Sequence, residues 1–92
     1  MAGSPKIQFV LSRHAEEEMK YRRIARALLE SVLQSPEQRL TQMAGKEIFQ
    51  SRYSLEDGRM YLITAVVNTG RQPPVVITVY RTSKIEKYWR PE

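Results

Sequence analysis

The spacing of apolar residues changes from helical to alternating near residue 46, and this change limits the fold more than any other feature of the sequence. Before it, residues 13–34 place apolar side chains three and four positions apart, which is typical of amphipathic helices. After it, residues 46–55, 60–67 and 75–80 alternate or are largely apolar, which is typical of strands. Helices followed by strands predict an α+β fold, and 92 residues suit a single domain over residues 1–92.

The helical half is predicted to contain two helices preceded by a short strand. Residues 6–11 alternate in polarity after a loose lead-in at residues 1–5. Ser12 is a favourable N-cap, so the first helix is predicted over residues 13–22. A second helix starts near Arg23 and ends at Ser35-Pro36, because proline lacks the amide that a continuing helix would use. Residues 35–45 are predicted to form a long polar connection.

Turn residues divide the second half into three strands. Asp57-Gly58 predicts a tight turn that joins residues 46–55 and 60–67 as an antiparallel hairpin. Pro73-Pro74 predicts a loop before the strand at residues 75–80, and residues 83–89 are expected to form a short C-terminal helix. The predicted architecture is two N-terminal helices packed on a small antiparallel sheet, followed by that short helix.

Charge and composition favour some partners and exclude some chemistries. Fifteen Lys and Arg residues against ten Asp and Glu give a net charge of +5, which favours association with RNA, DNA or an acidic protein. With no cysteine and one histidine, disulfides, thiolate catalysis and Cys- or His-rich metal sites are excluded, and we expect no metal and no cofactor. No apolar run approaches the ~20 residues that span a bilayer, and residues 1–5 lack signal-peptide features, so we expect no membrane contact and a cytoplasmic location.

His14 is the first candidate for acid or base chemistry, because imidazole alone among unperturbed side chains titrates near neutral pH. It lies at the start of the first predicted helix, where Glu18, Tyr21 and Arg22 share its face. The alternative is a helix-start histidine that hydrogen-bonds locally or is partly exposed. The sequence alone leaves both interpretations open.

The last predicted strand carries hydroxyl groups that are followed by cations. Alternation would put Val75, Ile77 and Val79 on one face and Val76, Thr78 and Tyr80 on the other. Thr78 and Tyr80 are also favoured in strands for packing alone. Arg81 and Lys84 follow at the strand end, and since charged residues rarely serve a core, they are candidates for ligand contacts.

Two further arginines are candidate phosphate ligands, because the guanidinium fork matches phosphate oxygens. Arg22 closes the first helix, where a cation also stabilises the helix dipole. Arg52 could project from the hairpin into the same cleft, or it could be an edge-strand charge that discourages aggregation.

Several short motifs together resemble a small bacterial family of domains of unknown function that is grouped with RelE-like and BrnT-like toxins. The resemblance extends from about Ile7 to Tyr88, and its motifs are His14-Ala15, Met19, Arg22, Ile24, Val32-Leu33, Ser35-Pro36-Glu37, Gly45 and Val76-Ile77-Thr78-Val79-Tyr80-Arg81. It implies two helices packed on a small antiparallel sheet, with a metal-independent ribonuclease cleft on a sheet face. By position, the family histidine corresponds to His14, the helix-closing arginine to Arg22, and the hydroxyl-rich final strand to Thr78, Tyr80 and Arg81.

The leading hypothesis is therefore a metal-independent ribonuclease of the RelE-like kind, with RNA as substrate and a cognate antitoxin as protein partner. His14 or Tyr80 would transfer protons during attack of the ribose 2′-hydroxyl on the adjacent phosphate. Arg81, assisted by Arg22, Arg52 and Lys84, would bind the phosphate, and Thr78 would orient it. This hypothesis requires His14 and Tyr80 to lie on the same side of the sheet.

The competing hypothesis is a basic interaction module that binds nucleic acid or an acidic protein without chemistry. It predicts that the candidate residues do not converge and that the basic residues spread over a broad face. A homodimer formed through edge strands is a third arrangement that the sequence leaves open.

Overall fold

A single five-stranded sheet forms the centre of the computed structural model, which describes residues 8–90. The strand order is β1-β5-β4-β3-β2, so β4 is central, as expected for one of the least polar strands. The elements are β1 (Val10–Leu11), α1 (Arg13–Tyr21), α2 (Arg26–Gln34), β2 (Gln38–Met43), β3 (Lys46–Ser54), β4 (Met60–Asn68), β5 (Val75–Thr82) and α3 (Ile85–Tyr88). The predicted α+β class and short C-terminal helix are confirmed.

The sheet is mixed, which corrects the prediction of a purely antiparallel one. β1 runs parallel to β5, with Val10 beside Val75. The physical reason is the anchoring of Ser12, whose amide donates to the carbonyl of Val76 at 3.0 Å and whose hydroxyl donates to that of Ile77 at 2.8 Å. Of the strand predicted at residues 6–11, residues 10–11 form β1, whereas residues 6–7 and the lead-in at 1–5 lie outside the described residues.

The long polar connection predicted at residues 35–45 is wrong, because most of it forms β2. This strand pairs antiparallel with β3, with Gln38 beside Gln50, and it ends at a turn in which Gly45 has a φ of +79°. β2 has little apolar alternation, and its stability comes from the neighbouring strand. A pattern-based prediction therefore had no local signal to detect there.

The two N-terminal helices form as predicted, except that the second begins at Arg26 rather than near Arg23. Arg23 has a φ of +56°, and the amide of Ile24 donates to the carbonyl of Met19 at 2.8 Å. These features are those of a Schellman-type helix end, which breaks the helical path between α1 and α2. The second helix ends at Gln34, before Ser35-Pro36, as predicted.

Both helices pack on one face of the sheet, which we call the helix face. Ala15 and Met19 of α1 and Leu29, Val32 and Leu33 of α2 are buried there. The sheet contributes Phe49, Ile63, Ala65, Val67, Val76 and Val79 to the same core. We call the opposite sheet face the open face.

The predicted hairpin of β3 and β4 is confirmed, and its turn contains Gly58 at a φ of +77°. The predicted alternation along β5 needs one correction. The pairing of β4 with β5 shifts at one point: Val66 pairs with Thr78, whereas Val67 pairs with Val76. Ile77 has no partner on β4 and forms a bulge. The bulge brings Val76 and Val79 together on the helix face, whereas Thr78 and Tyr80 keep the predicted shared face.

Candidate nucleic-acid interface

The candidate residues of β5 are divided between the two faces of the sheet. Tyr80 pairs with Thr64, whereas Arg81 pairs with Ile63, which belongs to the core beneath the helices. Because successive strand residues point to opposite faces, Tyr80 lies on the open face and Arg81 on the helix side. Thr78 shares the open face with Tyr80.

His14 lies on the opposite side of the sheet from Tyr80. Its helix begins at Ser12, whose hydroxyl accepts a hydrogen bond from the amide of Ala15 at 3.0 Å. Ala15 is buried on the helix face, and His14 is exposed on the outer part of the helix. The structure therefore does not bring His14 and Tyr80 together, and the requirement stated for the predicted ribonuclease site is not met.

Arg22 and Arg81 also lie on the helix side, and each has a carboxylate neighbour. The Nε atom of Arg22 donates to Glu18 at 2.7 Å, and the backbone amide of Arg22 caps the end of α1. Arg81 stacks on the Tyr61 ring at 4.9 Å from its centre, and its nearest carboxylate, on Glu56, is 3.7 Å away. Arg22 therefore stabilises the end of α1, whereas the carboxylate nearest to Arg81 is too far away for a hydrogen bond.

A row of polar side chains crosses the open face, in which three are buried and Tyr80 is half-buried. Gln38, Gln50, Thr64 and Tyr80 are successive cross-strand partners on β2, β3, β4 and β5. The amide of Gln50 donates to the Gln38 oxygen at 2.7 Å, and the Thr64 hydroxyl donates to the Gln50 oxygen at 3.2 Å. Among the described residues, every buried side-chain nitrogen and oxygen has a hydrogen-bond partner. This row fixes the register of the sheet with polar rather than apolar contacts.

Residues 83–90, which we call the C-terminal segment, cover part of this row. The side-chain amide of Gln38 donates to the Arg90 carbonyl, and the Arg90 amide donates back to the Gln38 oxygen at 3.2 Å. The Gln50 amide donates to the Tyr88 carbonyl at 3.4 Å. The rings of Tyr80 and Tyr88 meet edge to face, with centres 6.4 Å apart.

The sequence did not reveal the glutamine row. Gln38 lies within residues 35–45, which the sequence predicted to be a connection and not a strand. The one available signal was Thr64, a polar residue in the middle of the apolar run Leu62–Val67 of the sheet's central strand. A buried polar residue in such a run needs a partner on the next strand.

Arg52 lies on the open face, where it is held between two partners. Its guanidinium donates to the two carboxylate oxygens of Glu37 at 3.2 and 3.1 Å, and its backbone amide donates to Glu37 at 2.7 Å. The side-chain hydrogen bond from Arg52 holds the pKa of Glu37 below its usual value. The guanidinium also lies over the ring of Trp89, 4.1 Å from its centre.

The open face therefore combines aromatic rings with cations. Tyr88 is 39% exposed, and Lys87 lies 5.7 Å from the centre of its ring. Lys84, Lys87 and Arg90 are exposed, and Glu86 is the acidic residue among them. Burial raises the pKa of the Tyr80 phenol, Tyr88 raises it further, and Thr64 acts in the opposite direction, so Tyr80 is protonated at neutral pH.

Other features of the described residues give no alternative centre for the predicted chemistry. A groove of about 420 Å³ lies at the other end of the sheet, where Phe9, Phe49 and Pro74 line it and none of the candidate residues does. Within residues 8–90, no group of three or more His, Cys, Asp or Glu side chains could hold a metal ion. No helix in this part of the chain is long and apolar enough to cross a membrane.

Comparison with known proteins gives one family. Residues 11–81 match a family described as Domain of unknown function (DUF4258), and this range includes α1, α2, β2, β3, β4 and most of β5. Neither the comparison with curated proteins nor that with solved structures gave a match. The match covers more than half of the chain, and the chain therefore belongs to the DUF4258 family.

Proposed function

We propose that this chain binds single-stranded RNA on its open face, through the cations and aromatic rings of the C-terminal segment and β5. The observation that carries the proposal is the grouping of four candidate residues on this side of the molecule: Thr78, Tyr80, Arg52 and Lys84. The other three candidate residues, His14, Arg22 and Arg81, lie on the helix side.

The electrostatics of this face suit a phosphate backbone. Lys84, Lys87 and Arg90 project from one short segment that contains a single acidic residue, Glu86. Exposed cations that contact phosphates release the counterions that the polyanion had condensed, which favours binding. The net charge of +5 for the whole chain acts in the same direction over longer distances.

The aromatic rings on this face suit unpaired bases. Tyr88 is partly exposed and is supported from below by Tyr80, while Trp89 is held by Arg52. An aromatic ring with a fixed orientation is a stacking platform that accepts any base. Bases in a duplex are already stacked on one another, so this arrangement favours single strands.

A relationship to the RelE-like and BrnT-like toxins is part of the proposal. It is supported by the short motifs that the chain shares with that group and by the packing of two N-terminal helices on one sheet face. On this interpretation the protein works in the cytoplasm, and an antitoxin is its protein partner. The RNA would then be bound by the face that the helices leave uncovered.

Binding is tested by fluorescence anisotropy with a labelled single-stranded RNA of mixed sequence. The double variant Lys84→Ala/Lys87→Ala removes two open-face cations, and Arg13→Ala/Lys20→Ala removes two cations from the exposed side of α1. We expect the first variant to weaken binding at least tenfold and the second to leave it nearly unchanged. Equal losses in the two variants would show non-specific charge attraction, and the absence of binding by the parent would end the proposal.

Metal-independent RNA cleavage is the second candidate function. The observation in its favour is that Thr78 and Tyr80 share the proposed RNA-binding face, where protonated Tyr80 could donate a proton to a leaving oxygen. His14 lies on the other side of the sheet, so we expect any cleavage in excess EDTA to be lost in Tyr80→Phe and kept in His14→Ala. If cleavage is instead lost in His14→Ala and kept in Tyr80→Phe, the active site lies on the helix side.

A further inference from the structure

An open groove of about 390 Å³ lies on the helix side, between the α1–α2 junction and the turn of the β3–β4 hairpin. It is separate from the open face, so a ligand bound in this groove would not depend on RNA binding. The floor of the groove is apolar: Leu28 and Leu55 are half-buried, and Ala25 and Ala27 complete it. The polar residues in its lining are Arg23, Ser31 and Glu56.

Two arginines approach this groove from different elements. Arg23 lines it directly, is exposed, and has no carboxylate within 4.0 Å among the described residues. Arg81 does not line the groove itself, but its guanidinium lies 3.7 Å from the carboxylate of Glu56, which does. The Arg81 side chain is only 23% exposed and is fixed by stacking on Tyr61, whereas the Glu56 side chain is 76% exposed.

The Arg81 side chain is therefore held in place by Tyr61, whereas its counter-ion Glu56 is mostly exposed and only weakly bound. A carboxylate this exposed contributes little by its ion pair, because solvent screens the attraction and the side chain loses entropy when it is fixed. An incoming carboxylate could take its place beside Arg81 and also reach Arg23, at a small cost in broken contacts. The apolar floor next to these cations would meanwhile accept an aliphatic side chain.

We propose that this groove is a docking site for an acidic segment of a partner protein, in which a leucine-sized side chain is flanked by Glu or Asp. The leucine fills the space between Leu28 and Leu55, and the flanking carboxylates pair with Arg23 and Arg81. Complementarity of both charge and polarity selects this occupant over RNA, because a nucleic acid has no aliphatic side chain to cover the groove floor.

The site is tested with a labelled pentapeptide in which one leucine is flanked by two glutamates on each side. Binding is followed through the backbone amide NMR signals of Leu28 and Leu55. Two matched peptides, one with alanine for the leucine and one with glutamines for the glutamates, separate the apolar and ionic contributions. Each is expected to bind at least about fivefold more weakly, as loss of buried methyl groups or of a charge pair predicts.

Two protein variants disrupt the groove without harming the fold. Arg23→Gly removes the cation and relieves a positive φ, and Ala25→Asp adds a carboxylate to the groove while offering an N-cap to α2. Both should fold at least as stably as the parent and bind the acidic pentapeptide about two- to fivefold more weakly. Arg13→Ala, in which a cation is lost away from the groove, should bind it as the parent does.

The result expected is peptide-dependent shifts at Leu28 and Leu55 that both disruptive variants reduce. The proposal is overturned if the parent shows no shifts at millimolar peptide, or if the alanine and glutamine peptides bind as tightly as the peptide with leucine and glutamates. It is also overturned if single-stranded RNA rather than the peptide shifts these two signals. A parent that binds the peptide but not RNA would support this inference while rejecting the RNA-binding proposal.

Discussion

The guanidinium carbon of Arg52 lies 4.1 Å from the centre of the Trp89 ring, and the same guanidinium is hydrogen-bonded to Glu37. One side chain of β3 thus joins the residues just before β2 to the C-terminal segment. The Arg52 and Glu37 side chains are 43% and 41% exposed, so their ion pair adds little stability. The contact with the ring therefore adds to the hydrogen bonds of Gln38 and Gln50 that hold the segment on the sheet.

Replacing Arg52 with alanine should loosen the C-terminal segment. An exposed cation–aromatic contact contributes about 0.5–1 kcal/mol, so the Arg90 amide, which donates to Gln38, should exchange with solvent about two- to fivefold faster. Hydrogen exchange measured by NMR gives this rate. Arg39→Ala is the matched control, because Arg39 also pairs with a glutamate and lies over a ring. Equal acceleration in the control would contradict the assignment.

Gln50→Ala should destabilise the fold by about 1–3 kcal/mol, because it leaves the buried polar atoms of Gln38 and Thr64 without partners. The measurement is the free energy of unfolding in urea. Gln42→Ala, at an exposed position of the edge strand, should change it by less than about 0.5 kcal/mol. If the two losses were equal, the buried row would have no special role in stability.

The parts of the fold that the sequence predicted are those with local causes. The Asp57-Gly58 turn sets the hairpin, and Ser12 sets the start of α1. The parts that were missed depend on distant contacts: β2 needs β3 beside it, and β1 lies parallel to β5 through hydrogen bonds that join residues 65 positions apart. No periodicity within a short window contains that information.

The candidate site follows the same rule: its local features were predictable from the sequence, and those that depend on distant contacts were not. Alternation put Thr78 and Tyr80 on one face, and the bulge at Ile77 did not separate them. Alternation along a strand could not predict the side on which His14 lies, because that side depends on which sheet face the helices cover. That choice is made by the burial of Ala15 and Met19 against the core rather than by any property of His14.

Stability should fall in acid partly because of Glu37. Its pKa is lowered in the folded protein from an ordinary value of 4.5, so the folded state holds the charged form more strongly than the unfolded chain does. The resulting contribution is fully present above pH 4.5 and is lost as the pH falls through the lower folded value. Glu37→Gln should flatten the dependence of the urea midpoint on pH in this window. A dependence that stays as steep as the parent's would rule out this contribution.

Arg23→Gly should stabilise the protein by about 1 kcal/mol, because glycine adopts the left-handed conformation at the end of α1 without the steric cost of a side chain. Arg23→Ala removes the same charge and keeps the strained backbone, so it should leave the free energy of unfolding nearly unchanged. Thermal and urea unfolding of the three proteins measure the difference. Equal stabilisation by glycine and alanine would mean that charge repulsion, rather than backbone strain, is what the substitutions relieve.

The salt dependence of RNA binding should show which cations contact phosphates. Each phosphate contact to a single strand adds about 0.7 to the slope of log affinity against log salt concentration. Lys84→Ala, Lys87→Ala and Arg90→Ala should therefore each lower the slope by about that amount, whereas Arg13→Ala on α1 should leave it as in the parent. Tyr88→Ala should weaken binding while keeping the slope, because stacking releases no counterions. Slopes that depend on Arg13 and not on the C-terminal cations would place the RNA on the helix side and contradict the open-face interface.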